Sequence, residues 1–165
     1  VSETSKRTPE ELREASDHLY YEIGMLQSMA GVLASGALGE SQLKNAALES
    51  FALHARVLLE FCYSDKPHPV HPDVIAANFF EDASSWINER PPKTELLAGI
   101  HDRVGKQVAH LSYKRQDVTP EDKKWSFAQI ATDLQVVLDT FYYLVPRNVL
   151  GKRWQKVIEL RDVGT

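Results

Sequence analysis

TPEELREASDHLYYEIGMLQSMAGVL, residues 8–33, is the stretch that decides the fold. Thr8 can cap a helix, Pro9 suits its first position, and Glu11 can reach back to close a capping box. Leu12, Leu19, Ile23, Leu26, Ala30 and Leu33 then follow at sevens, threes and fours, which places them on one helical face. The stretch predicts a long amphipathic helix, ended by Gly36 and Gly39. Upstream, Val1 to Arg7 is polar and reads as frayed.

The same period recurs downstream. A second helix is predicted from Ser41 to Tyr63, with Leu43, Ala46, Ala47, Ser50, His54, Val57, Leu58 and Phe61 covering a broad face. Glu49, Arg56 and Glu60 line up opposite, and read as a solvated face with an Arg56–Glu60 pair. His54, inside the apolar face, reads as a satisfied core histidine. A third helix is expected over about Lys93 to Arg115. A fourth carries Phe127, Ile130, Leu134, Val137, Phe141 and Val145, starts near Thr119-Pro120-Glu121-Asp122 and stops at Pro146.

Between the second and third helices, residues 64–92 hold Pro67, Pro69, Pro72, Pro91 and Pro92, five of the eight prolines. Long helix cannot persist at that density. Short turns around Asp73–Ala77 and Asp82–Asn88 are predicted, with Phe79, Phe80 and Trp86 holding the excursion to the bundle. His68, His71 and Asp73 lack a fourth partner and a shared helical face, so no metal site is predicted there. The basic tail over 147–165 offers Trp154, Val157, Ile158 and Leu160 for docking. No strand pattern appears, and no boundary divides the chain. The expected architecture is one all-α domain over 1–165, an up-and-down bundle of four long helices with an irregular proline-rich excursion.

Composition narrows the function classes. The chain is 43% apolar and 25% charged, as in an ordinary globular domain. One cysteine, Cys62, excludes an internal disulfide and a four-cysteine zinc site; beside Phe61 it reads as a buried thiol. No apolar run reaches membrane-spanning length, no secretory signal pattern appears, and the cysteine usage fits the reducing cytoplasm. A net charge of −4 argues against a broad nucleic-acid-binding face but leaves room for a local basic patch.

Such a patch lies in GIHDRVGKQVAHLSYKR, residues 99–115, where Arg103, Lys106, Lys114 and Arg115 face only Asp102. Ile100, Val104, Val108 and Leu111 form the apolar stripe. Arg103 and His110, two turns apart, project within roughly 20° of each other, and Gln107 and Lys114 lie near that line. An imidazole can move a proton near neutrality, and a guanidinium fork matches phosphate oxygens. Metal-free RNA cleavage needs both: a base for the 2′-hydroxyl and a cation for the charge growing on phosphate. Lys106, Gln107, Tyr113 and Lys114 complete the candidate site as backbone-positioning or base-stacking groups. The alternative from the same residues is structural, with Arg103 and His110 bonded to neighbouring carbonyls or carboxylates.

An all-helical domain with Arg103, six intervening residues and His110 on a late helix resembles the HEPN superfamily, whose motif is Arg, four to six residues, then His. The phrase Lys106-Gln107-Val108-Ala109-His110-Leu111 is similar to the helix of small bacterial HEPN-like proteins of unassigned function. The resemblance implies a homodimer in which Arg103 and His110 of two subunits meet in a cleft. It also implies binding of RNA or a nucleotide without a cofactor, and in catalytic members a metal-independent ribonuclease of toxin or defence type. Active members usually carry Asn, Asp or His directly after the Arg, where this chain has Val104, so the resemblance speaks more to fold than to activity. The alternative class is a noncatalytic module that holds a partner protein, through the polar shoulder that carries Arg103 and His110, about 100° round from the apolar stripe, or through the proline-rich excursion.

Overall fold

The computed structural model describes residues 7–66, 73–105, 119 and 124–163, with the side chains of 160–163 excepted. All regular structure among them is helical. Helix α1 spans Pro9–Ala34, α2 Gln42–Tyr63, and α6 Phe127–Leu144. Between α2 and α6 come a 3₁₀ turn at Ala76–Phe79 and the short helices α3 (Ala83–Glu89), α4 (Glu95–Ala98) and α5 (Ile100–Val104). After α6, 3₁₀ turns at Arg147–Val149 and Lys152–Trp154 lead into α7, Gln155–Val163.

The start of α1 forms as its sequence dictates. Glu11 N–H donates to Thr8 Oγ1 at 3.2 Å, and the Glu11 carboxylate accepts Thr8 N–H at 2.8 Å, closing the capping box. Its end turns through Gly36 and Gly39, both at positive φ (68° and 53°), a region costly for residues with a Cβ. Ser41 then caps α2 through its hydroxyl. Helix α6 stops at Leu144 because Val145 precedes Pro146 and takes up extended backbone.

The third helix expected from Lys93 takes a different form. Thr94 caps through Leu97 N–H, which moves the start to Glu95, and α4 closes at Gly99 before α5 begins. The described part of this region is therefore two short helices rather than the first turns of one long helix. The continuation to Arg115 and the start signature at Pro120-Glu121-Asp122 lie outside the described residues. Three long helices are described, and α1 runs antiparallel to both others. Its Gln27 bonds Gln135 of α6 while its Arg13 bonds the Asn148 carbonyl beyond α6. Helices α2 and α6 run parallel, since Phe51 meets Phe127 and Phe61 meets Phe141. That sense is the one the second and fourth helices of an up-and-down bundle share.

The core is built from one face of each long helix: Leu19, Leu26 and Ala30 of α1, Phe51, Leu58 and Phe61 of α2, and Ile130, Leu134 and Phe141 of α6. Burying each large side chain contributes roughly 1.5–3 kcal/mol. On α2, Leu43, Ala46 and Val57 were expected on that face and are exposed. The described residues of the proline-rich excursion pack on the core through Phe79, Phe80 and Trp86, as predicted. Fully buried Trp86 packs edge-on against Phe141 at 5.6 Å, and its indole N–H donates to the Cys62 carbonyl at 2.9 Å. Phe79 and Phe80 also contact Phe141. Cys62 is fully buried, and burial pushes its thiol well above the ordinary range, so it is an inert core residue.

The segment after α6 is fastened to α1 around one buried hydroxyl. Gly151 N–H donates to Ser16 Oγ at 2.7 Å, Ser16 Oγ donates to the Arg13 carbonyl, and the Trp154 indole N–H donates to the Ser16 carbonyl at 2.8 Å. Trp154 is buried between Tyr20 and Tyr142. A Cβ at Gly151 would lie 2.6 Å from the Arg13 carbonyl oxygen and against the Asp17 carboxylate, so only glycine allows this approach.

Candidate functional site

Arg103 sits near the end of α5, with buried Ile100 and Val104 anchoring that short helix to the core. Its guanidinium lies over the Trp125 ring at 4.2 Å, and its Nη2 donates to the Lys124 carbonyl at 2.8 Å. Trp125 is itself buried and meets fully buried Phe51 edge-on at 6.2 Å, and Phe51 meets Phe127 at 5.2 Å. The half-buried guanidinium therefore rests on the outermost ring of an aromatic stack rooted in the core. Neither contact removes its positive charge. Both fix its plane, which suits a group that must present N–H donors in one orientation.

Of the other predicted site residues, Lys106, Gln107, His110, Tyr113 and Lys114 lie outside the described residues, as do His68 and His71. Among the described residues no group of three or more His, Cys, Asp or Glu could hold a metal ion. No helix among them is long and apolar enough to cross a membrane.

His54 is buried, as its place in an apolar face predicted, and is satisfied across the α1–α2 interface. Its Nδ1 lies 2.5 Å from Glu22 Oε2, and Tyr21 meets the ring edge-on at 5.9 Å. The Arg56–Glu60 pair also forms, with Nε donating at 2.8 Å. What the sequence did not reveal is that Glu60 faces α5: His101 Nε2 lies 3.4 Å from the same carboxylate oxygen. His101 carries no local signal for this, because its partner is on another element.

These pairs border a groove of about 910 Å³ between α1, α2 and the elements after α2. Leu19, Leu58, Phe61 and Ile75 form its buried floor, and Glu22, Glu60, His18 and His101 stand along its walls. At the end of α2, Tyr63 donates its hydroxyl to the Pro91 carbonyl at 2.9 Å, and burial raises its phenol above the usual range. The Lys93 ammonium sits 4.9 Å from that ring's centre. His101 and Arg103 are two positions apart, about 200° around α5, so the groove and the Trp125 shelf lie on opposite sides of one short helix.

Comparison with protein-family models, with curated proteins and with solved structures gives no match to this chain.

Proposed function

We propose that this chain is a HEPN-like helical domain that binds RNA or a nucleotide at a groove formed by Arg103 and His110. Arg103 is the phosphate clamp and His110 the acid/base group of a metal-independent endoribonuclease of toxin or defence type. Lys106, Gln107, Tyr113 and Lys114 position the substrate, and the working unit is a homodimer. The observation that carries the reading is the setting of Arg103. A half-buried guanidinium with its plane fixed by Trp125 and the Lys124 carbonyl is oriented in advance, which is what recognition of a tetrahedral anion requires.

The test is RNA binding and cleavage in chelator, with Arg103→Ala, Arg103→Lys and His110→Ala beside wild type. Cleavage that His110→Ala abolishes with folding retained, and that Arg103→Lys does not restore over Arg103→Ala, supports the proposal. Equal activity in wild type and His110→Ala eliminates catalysis by this pair.

A second reading is favoured by the same contacts. Arg103 joins α5 to residues 124 and 125, across 21 positions of sequence, as a scaffold residue would. On that reading the domain is a noncatalytic interaction module. Arg103→Ala then lowers stability, and no RNA binds to wild type.

A further inference from the structure

Helix α2 carries a second apolar line that the core does not use. Leu43, Ala46, Ser50, Leu53 and Val57 follow at alternating threes and fours, within about 80° of one another around the helix. Leu43 is 69% exposed and Leu53 55%, Ala46 and Val57 are exposed as well, and Ser50 is half-buried. Tyr21 of α1, also exposed, meets the His54 ring edge-on and extends this face onto the neighbouring helix. Two charges border the line on the flank away from α1. Glu49 and Arg56 stand about 40° and 60° round from Leu53, opposite in sense to His54, which faces Glu22 of α1. Glu49 has no ion pair among the described residues. Arg56 engages Glu60 through Nε, which leaves its two Nη nitrogens to donate elsewhere.

We infer that this face docks a second copy of the chain, α2 against α2 in antiparallel order, about a twofold axis level with residues 52 and 53. A twofold axis across the helix brings like flanks together. Glu49 of each copy then meets Arg56 of the other, in two equivalent ion pairs. The same register sets Ala46 against Val57 and Ser50 against Leu53, small against large in each layer, as interlocking helices require. Parallel order turns the charged flanks apart and forms neither ion pair. With α1 alongside, the face is about 33 Å long and roughly 20 Å wide, of the order of the ~800 Å² that a standard dimer buries on each partner. This contact goes beyond the pairing of Arg103 and His110 proposed above. It lies on the side of α5 where His101 meets Glu60, and leaves Arg103 uncovered.

Sedimentation velocity of the whole chain over a concentration series tests it, with melting temperature recorded for every variant. Glu49→Arg and Arg56→Glu, each alone, oppose like charges and should weaken self-association at least tenfold. An equal mixture of the two variants again opposes unlike charges at both pairs and should recover most of the loss. Should Arg56→Glu melt early, Leu53→Asp, at an exposed position, serves in its place and should weaken association as strongly. Register is read by a short bis-maleimide: a mixture of Ala46→Cys and Val57→Cys chains should cross-link to each other, and neither variant to itself. A wild-type chain that stays monomeric at millimolar concentration overturns the inference. So does association unchanged in the α2 variants, no recovery in the mixture, or cross-linking between like chains only. Association lost in Arg103→Ala but kept in Glu49→Arg and Leu53→Asp belongs to the dimer of the proposed function and overturns this one.

Discussion

The Arg103 guanidinium stacks over the Trp125 ring at 4.2 Å while donating to the carbonyl of the residue before that ring. One side chain thereby fastens α5 to the approach to α6 by both a face contact and an edge bond. Arg103→Ala is expected to cost about 1–2 kcal/mol in urea unfolding, the sum of a partly desolvated cation–π contact and one hydrogen bond. Arg103→Lys should recover only part of this, because an ammonium lacks the planar fork. Trp125→Ala should cost more, about 3–5 kcal/mol, since it also opens a cavity against Phe51. An Arg103→Ala variant as stable as wild type would show that the contact has no mechanical role.

The His54–Glu22 pair joins the two longest helices where both side chains are mostly buried, 10% and 24% exposed. Removing either partner strands the other. Glu22→Ala and His54→Ala are each expected to cost about 1–3 kcal/mol. In a double-mutant cycle the pair should show a coupling of about 1–3 kcal/mol. Additive losses would mean that the two helices are held by packing alone.

Gly151 is a close approach, not a hinge. Gly151→Ala should destabilise the chain by about 1–3 kcal/mol, because the Arg13 carbonyl, 2.6 Å from the new Cβ, is backbone and cannot swing aside. Asp17→Ala removes one of the two obstacles and should relieve part of the loss, measured by thermal melting of the single and double variants.

The capping box makes part of the stability depend on pH. The Thr8 backbone N–H, donating to the Glu11 carboxylate, holds that carboxyl below its ordinary 4.5. A carboxyl depressed in the folded state contributes stability that is present above its ordinary value and lost as pH falls through the folded one. The melting-temperature gap between wild type and Glu11→Gln should therefore be widest near neutrality and begin to close below pH 4.5. A constant gap down to strong acid would remove the charged cap from the account.

Cys62 should resist alkylation in the folded protein and react fully in denaturant, because burial disfavours the thiolate that attacks. Fast labelling of the native chain would place the thiol at the surface and overturn the packing of Trp86 above it.

The sequence carries the long helices because each is specified locally: Thr8 and Glu11 start α1, Ser41 caps α2, Pro146 ends α6, and the apolar period names Leu26, Phe61 and Phe141 as core. It overstates the buried face of α2. Leu43, Ala46 and Val57 are apolar and in phase, yet burial depends on whether another element reaches them, which period alone does not encode. The third helix breaks at Gly99, a residue the sequence shows, whereas the apolar stripe from Ile100 onward carries no sign of it. Of the candidate site, periodicity placed Arg103 on the shoulder of its helix. The partners of Arg103 and His101, Trp125 and Glu60, are 22 and 41 positions away in sequence, and no local rule identifies a neighbour at that range.

The knot of bonds around Ser16 has a consequence for how the molecule is made. Residues 16 and 151 sit 135 positions apart, so α1 leaves the ribosome long before its contacts with residues 151 to 154 exist. Until Trp154 emerges, the hydrophobic flank of that helix near Tyr20 lacks its cover, and the nascent chain must be kept from associating through it. The packing of α1 is thus completed only when residues 151 to 154 arrive.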